Sequence, residues 1–489
     1  MLDLPVHSRA FRVRRVLNWL PLGLAYAFLY MGRYNLTVAK NALGDLMTKA
    51  EFGEIFGLGA IVYGCAFVVN GPLTDRIGGR RTMLIGVLGS IVMNLLMGLV
   101  LLGAHTGAVT TRVAPIFMFL YAVNMYFQSF GAVAIVTVKA PWFHIRERGT
   151  FSTIFGVMIS MGVYFAFDWG QAIVDATRGA TGAELGALAT GLRALGLGGA
   201  GVDQNWWLFF IPSLILGVLW LTLLAFLRNT PSDAGYADFD TGEGSVSHDG
   251  ERLPIRVIFL RLLSHPVLSV ICLIELCSGV LRNGVMHWYT FFAKETGFAK
   301  EFFVTQNWGL MLLIAGIVGS VLTGWASDRF FQSRRAPMAG ILYGLMLLAT
   351  IAMSLGLSSP HWVLGAAVLL VSMSVIGVHG IMSGTSTVDF GGTKNGGAAV
   401  GIVDGLVYLG TAMQAFAAGY MTPTGEAAKD PANWIGWPLF LVPFAIAGVI
   451  LSARIWNALP RSRAAAAPPS EPAASATKIA ALTPGGTAT

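Results

Sequence analysis

The feature that leaves this chain the fewest options is a succession of apolar runs, each about 20 residues long, the length a helix needs to cross a bilayer. Twelve such runs can be placed along its 489 residues: 16–38, 54–73, 82–104, 113–138, 150–171, 206–227, 264–292, 305–325, 336–357, 362–385, 397–420 and 435–457. In lipid every backbone N–H and C=O must be satisfied inside the chain, so only helices and closed barrels can span. Runs of this length without polar–apolar alternation select the helix. The expectation is an all-α membrane protein of twelve transmembrane helices. Only 12% of residues are charged, and mean hydropathy is +0.67, which excludes an ordinary soluble domain.

The remaining bulk features fit that class. The net charge of +7 is spread over short loops rather than gathered in a patch, so it reads as membrane orientation and not as nucleic-acid binding. Cys65, Cys272 and Cys277 all lie in apolar runs and form no disulfide framework or metal-ligand spacing. The N-terminal VHSRAFRVRRVLNWLPL has no small-residue cleavage site after its first apolar run, which is read as a retained span.

Orientation follows from the basic residues. With the N-terminus inside, the inner loops hold Arg9, Arg12, Arg14, Arg15, Arg76, Arg80, Arg81, Arg146, Arg148, Arg228, Arg329, Arg334 and Arg335 among others, while the outer loops hold few. The positive-inside rule places both termini in the cytoplasm.

The chain repeats itself. GPLTDRIGGRR follows the second span and GWASDRFFQSRR follows the eighth, with Asp75 and Asp328 253 residues apart. Arg33 and Arg282, each inside an apolar run, are 249 apart. One offset relates both features, which argues for a six-plus-six duplication. The expected organisation is a cytoplasmic N-terminus (1–15), a first six-helix bundle (16–227), a polar linker (228–263), a second bundle (264–457) and a low-complexity cytoplasmic tail (458–489). Parallel halves around a midplane site are a known transporter plan. The Gly- and Ala-rich loop at 172–205 falls outside, with room for a short surface helix.

Arg33 and Arg282 are the residues that point to chemistry. A guanidinium at bilayer depth costs about 2.5–3.5 kcal/mol on insertion scales, and it cannot escape by losing its proton. Two forks of N–H donors suit a carboxylate or a phosphate. The competing reading is a structural pair between Arg282 and Glu275, two turns away. Polar stripes accompany both arginines: Tyr26, Tyr30, Arg33 and Thr37; Glu275, Ser278, Arg282 and Tyr289; Tyr121, Asn124 and Gln128; Ser372, His379 and Ser383; Asp404, Tyr408 and Thr411. Such stripes face a wet cavity or a bundle interior. For their Ser, Thr and Tyr members, helix–helix hydrogen bonding competes with ligand contact. Asp168 and Asp404 read as packing acids, with proton carriage as the alternative. In the repeated loop, Asp75, Arg76, Arg80, Arg81, Asp328 and Arg329 are read as a conformational lock; the alternative is plain topogenic charge.

These residues resemble the major facilitator superfamily and, more narrowly, its organophosphate:phosphate antiporters, the bacterial glycerol-3-phosphate and hexose-phosphate carriers. The stretches that carry the resemblance are YMGRYNLTVA, NGPLTDRIGGRR, NMYFQSFGAVAIVTVKAPWFHIRERGT, RNTPSDAGY, LRNGVMHWYTFFAKETG and GWASDRFFQSRR. The resemblance implies that Arg33 and Arg282 clamp a phosphate while the halves rock, and that inorganic phosphate is the exchanged partner. An empty occluded carrier would bury two unpaired cations, which is a physical reason for exchange. The chain departs from those carriers at Tyr34, where a lysine is usual, and at Phe67, Ile159 and His287. That leaves a less basic, more aromatic cavity, suited also to a larger organic anion or a phosphonate.

The sequence reading is therefore a multi-pass transporter of the bacterial inner membrane. It moves a small organic phosphate or related anion by alternating access, as a monomer, with no enzyme activity, cofactor or metal. Arg33, Arg282, Tyr30, Tyr34, Asn124, Gln128, His287 and His379 are the candidate substrate contacts. The alternatives are a proton-coupled organic-anion transporter, with Glu275, Asp404 or a histidine as proton carrier, and a transporter-like sensor of sugar phosphate.

Overall fold

The computed structural model describes residues 7–144, 147–179, 185–198, 201–241, 255–298, 302–332, 334–387 and 396–458. These contain helices and no strand. The long helices are α1 (Arg9–Leu43), α2 (Lys49–Ile77), α3 (Gly79–Thr106), α4 (Val113–Trp142), α5 (Arg148–Tyr164), α6 (Trp207–Phe226), α7 (Pro266–Met286), α8 (Trp308–Phe331), α9 (Arg335–Leu355), α10 (His361–His379), α11 (Gly396–Met421) and α12 (Gly436–Arg454). Eleven candidate spans among the described residues are long and apolar enough to cross a membrane. The first helix, at 35 residues, has the length but not the apolarity, because Asn18, Tyr26, Tyr30, Arg33, Tyr34 and Asn35 interrupt its apolar run.

Local chemistry sets the helix boundaries. The Ser8 hydroxyl accepts from the Phe11 amide at 3.2 Å and starts α1 well ahead of its apolar run. A capping box of Thr48 and Glu51 starts α2. Between α2 and α3 the chain turns at the single residue Gly78, whose φ of 84° favours glycine. Two helices continue through wide i→i+5 turns, which re-aim side chains. Phe165–Trp169 joins α5 to Gly170–Thr177, and Gly380–Ser386 extends α10. The loop at 172–205 contains a short helix, Ala187–Ala194, anchored by the Arg193 Nε donating to the Ala176 carbonyl at 2.9 Å. The polar linker ends in a helix of its own, Ile255–Ser264. Residues 459–489 lie outside the described residues, as does the side chain of Asp75.

Packing repeats between the halves. In the first, α1 packs on α5 and α6, α2 on α4, and α3 on α4 and α6; in the second, α7 packs on α11 and α12, α8 on α10, and α9 on α10 and α12. The halves meet where α2 packs on α11 and α5 on α8. Small residues let these backbones approach, as membrane helices require. A Cβ on Gly64 of α2 would fall 2.8 Å from the Gly405 carbonyl oxygen of α11.

The end of the bundle that carries the start of α1 is basic and aromatic. Phe11, Trp142 and Phe143 are buried there against Tyr236 and Phe239 of the linker. Arg15 pairs with Glu147 at 3.1 Å, and the Trp142 indole donates to the Arg228 and Asn229 carbonyls. Burial, followed by the Arg15 guanidinium, holds the His7 imidazole below its ordinary value. Through this knot the WF and RNTPSDAGY stretches fasten the linker to the first half.

Candidate functional site

The centre of the first half is a polar lattice that fixes α1 at Arg33. The Gly32 carbonyl accepts from the side-chain amides of Asn94 (3.2 Å) and Asn124 (3.1 Å), and the Arg33 carbonyl accepts from the Tyr121 hydroxyl (3.1 Å). Ser90 donates to Asn124 at 2.8 Å, and Asn35 donates to Asn94 at 2.9 Å. Gln128 donates to Ser90 and Asn124 and thereby presents its own oxygen to the Arg33 Nε at 2.9 Å. A buried network is stabilising only when its members are satisfied together. Asn124 and Gln128 thus belong to the apparatus that positions Arg33.

The Arg33 side chain is wholly buried. Beyond Gln128 it donates from Nη1 to the Tyr408 hydroxyl (2.6 Å) and from Nη2 to the Tyr63 hydroxyl (3.1 Å). Its guanidinium carbon lies 4.3 Å from the centre of the Tyr63 ring and 4.6 Å from that of Tyr30, close enough for cation–π attraction. An arginine has five N–H donors, and these bonds use three of those on Arg33. Arg282, from the other half, makes no hydrogen bond among the described residues, and no carboxylate there lies within 4.0 Å of it. Its guanidinium carbon sits 5.8 Å from the centre of the Tyr408 ring, the same distance as that of Arg33. The two arginines therefore flank one phenol, with donors to spare and aromatic walls. The competing reading, an ion pair of Arg282 with Glu275, is not formed: Glu275 pairs with His379 instead.

Tyr34 and His287 stand beside this layer, their rings 4.9 Å apart. The Thr37 hydroxyl is 2.7 Å from the His287 Nδ1, and the buried Nε2 of that ring has no partner among the described residues. His379 is placed elsewhere: its Nδ1 lies 2.9 Å from the Glu275 carboxylate and its Nε2 is 4.0 Å from that of Asp404. In the repeated loops Asp328 pairs with Arg335 at 2.8 Å. Arg80 donates to the Leu224 carbonyl at 2.9 Å, while Arg76, Arg81 and Arg329 are exposed.

At the opposite end the halves are fastened together. Lys49, buried, pairs with Glu295 at 2.6 Å and donates to the Pro423 carbonyl. Tyr420 donates to Glu54, and Asn41 donates to Thr290. Asp168, carried on the wide turn after α5, accepts from the Gly309 and Leu310 amides at 2.7 and 2.9 Å and caps the start of α8. That end is closed.

Comparison with known proteins agrees with the fold. The Major Facilitator Superfamily pattern matches residues 22–415. The chain belongs to the Major Facilitator Superfamily. Such proteins are transporters, not enzymes. This facilitator is 25% identical over 458 residues to the glycerol-3-phosphate transporter of Bacillus subtilis (strain 168), covering 92% of this chain and 94% of that protein. It is also 25% identical to the probable hexose phosphate transport protein of Chlamydia trachomatis serovar D, covering 93% and 94%. Among solved structures it superposes on a bacterial homolog of the human lysosomal transporter Spinster, inward-facing and unoccupied. That match has a TM-score of 0.68 and 16% identity, and covers 91% of this chain and 98% of that one, a likeness of fold.

Tyr63 and Tyr408 have no place among the candidate contacts read from the sequence. Tyr63 is a lone phenol in the run GAIVYGCAF, and Tyr408 follows Asp404 on a polar stripe. Only the α2–α11 contact brings both hydroxyls to Arg33.

Proposed function

We propose that this facilitator carries a small organic phosphate, or an anion of similar charge, in exchange for inorganic phosphate, and that Arg33 and Arg282 hold it. The observation that carries this reading is the pair of guanidinium groups, one from each half, beside Tyr408 with donors unspent and, among the described residues, no carboxylate within 4.0 Å of Arg282. Uncompensated buried cations are expensive, and an anion with several oxygens is the ligand that relieves them. Tyr30, Tyr34, Tyr63 and His287 supply ring faces and further polar atoms around the bound group.

The fastened end, with Lys49, Glu295 and Asp168, faces outward in this reading, and the basic end with both termini faces the cytoplasm of a bacterial inner membrane. The two halves, 16–227 and 264–457, then rock about the arginine layer. Asp328 with Arg335, together with Asp75, Arg76, Arg80, Arg81 and Arg329, govern the cytoplasmic side. Relatives of this chain named as glycerol-3-phosphate and hexose phosphate transporters support the substrate class.

Counterflow tests the proposal. Proteoliposomes preloaded with inorganic phosphate are expected to take up labelled glycerol 3-phosphate faster than empty ones at equal pH. Arg33→Ala and Arg282→Ala each abolish that acceleration. Uptake indifferent to internal phosphate would defeat the exchange reading, and phosphate binding without flux would make the chain a sensor.

A further inference from the structure

Away from the arginine layer, three helices of the second half bring two carboxyl groups to one imidazole. Glu275 on α7 is fully buried, and its Oε2 is 2.9 Å from the His379 Nδ1 of α10. Its other oxygen, Oε1, has no partner among the described residues. The Asp404 Oδ1 of α11 lies 4.0 Å from the His379 Nε2 and accepts from Ser383, which sits on the wide turn that extends α10. A neutral imidazole carries one N–H. With that proton on Nδ1 toward Glu275, the Nε2 lone pair faces a carboxylate; with it on Nε2, the lone pair faces Glu275. Either tautomer sets an acceptor against an acceptor. Only one more proton sets an N–H on each ring nitrogen toward the carboxylate it faces.

We infer that Glu275, His379 and Asp404 form a proton-binding site that loads together with the anion. The inference rests on the anion reading of Arg282. Glu275 and Arg282 lie two turns apart on α7, about 10 Å along the helix axis. Among the described residues, the charged and titratable groups facing the cluster are Arg282 and, around Glu275, Cys272 and Cys277 of α7 and Tyr343 of α9. Beyond Arg282 stand Tyr30, Tyr34 and Tyr408. With a neutral imidazole, Glu275 and Asp404 stand near Arg282 without pairing with it. An anion arriving at Arg282 offsets that cation, and the added negative charge favours the imidazolium. By reciprocity the proton favours the anion equally. The proton comes from bulk water, bonds to a ring nitrogen of His379, and returns to water when the anion leaves. No other bond is made or broken. The exchange cycle then carries a proton with whichever anion holds more negative charge.

The test is proton uptake on binding inorganic phosphate by the purified full-length protein in weakly buffered detergent, read with a pH dye and compared with Glu275→Gln, His379→Gln and Asp404→Asn. Phosphate itself exchanges protons on binding, so the wild-type excess over the variants is the informative quantity. We expect an excess of about one proton per phosphate over Glu275→Gln and over His379→Gln, with binding retained. The wild-type affinity is also expected to fall more steeply with rising pH than that of either variant. Asp404→Asn serves as the partial case, since it leaves the Glu275 contact intact. Folding of each variant is checked by its elution profile and by phosphate binding itself. Equal uptake in wild type and in every variant that binds phosphate would overturn this inference and leave the anion site standing. Failure of the wild type to bind phosphate would overturn both.

Discussion

Arg33 and Tyr408 belong to opposite halves of the chain, 375 residues apart, and are joined by a 2.6 Å hydrogen bond from Nη1 to the phenol oxygen. The centre of the same phenol ring lies 5.8 Å from the Arg282 guanidinium carbon, so one side chain of α11 stands beside both of the arginines proposed to hold the anion. Tyr408→Phe keeps the ring and removes the acceptor. Hydrogen bonds to charged groups contribute about 1.5–3 kcal/mol, which for a chain this size corresponds to a melting temperature lower by roughly 1.5–3 °C. Saturating phosphate is then expected to stabilise the variant more than the wild type, since the anion supplies the missing acceptor. Melting of both proteins in detergent, with and without phosphate, checks this. Identical curves would mean that the hydrogen bond contributes nothing.

The forks matter as well as the charge. Lysine keeps the cation but offers a compact ammonium without planar, two-point donation. Arg282→Lys is expected to weaken phosphate binding by about 10- to 100-fold, the equivalent of roughly 1.4–2.8 kcal/mol. Arg33→Lys is expected to fail more severely, because its hydrogen bonds to Gln128, Tyr63 and Tyr408 run in three directions from one planar group. Titration calorimetry with phosphate reads both; wild-type affinity in Arg282→Lys would reduce the clamp to simple charge.

Most of the helices are legible in the sequence, because a bilayer admits few folds and the apolar runs are long. The first differs in extent. The expected span of 16–38 is a helix from Arg9 to Leu43, since the Ser8 cap and the amphipathic stretch before the apolar run continue it into water. A buried arginine announces itself through its cost, so Arg33 and Arg282 stand out in the sequence. Their surroundings do not. Tyr63 is indistinguishable from a packing tyrosine until α2 is laid on α11. Glu275 shares a helical face with Arg282 and so invites pairing with it, whereas the structure gives it His379, 104 residues away. Asp168 does pack, but its cap on α8 across the two halves depends on a wide turn that no local pattern announces.

The closed end gives a prediction about access. Lys49 is buried, and its partners Glu295 and Pro423 both belong to the second half. Glu295→Gln leaves the ammonium without its counter-ion. A loss of about 1–2 kcal/mol changes a two-state population by roughly 5- to 30-fold. In a background without the native cysteines, a Thr37→Cys reporter is expected to react that much faster with a membrane-impermeant thiol reagent added outside. Asp168→Asn, which weakens the cap on the Gly309 and Leu310 amides, is expected to act in the same direction. Unchanged labelling in both would show that these contacts do not hold the end shut.

Close approach of α7 and α11 is the remaining requirement, because these helices carry Glu275 and Arg282 on one side and Asp404 and Tyr408 on the other. At Gly410 a Cβ would fall 2.0 Å from the Leu276 carbonyl oxygen. Backbone cannot yield there as a flexible side chain would, so Gly410→Ala must push the helices apart. Overpacking of this kind typically costs about 1–3 kcal/mol. Displacement of α11 also moves Tyr408 away from Arg33 and Arg282. The variant is expected to melt several degrees lower and to bind phosphate more weakly. Gly344→Ala on α9, where a Cβ meets nothing within 4 Å, is the matched control and leaves binding unchanged. A Gly410→Ala protein with wild-type melting and phosphate affinity would show that the α7–α11 spacing does not set the geometry of the clamp.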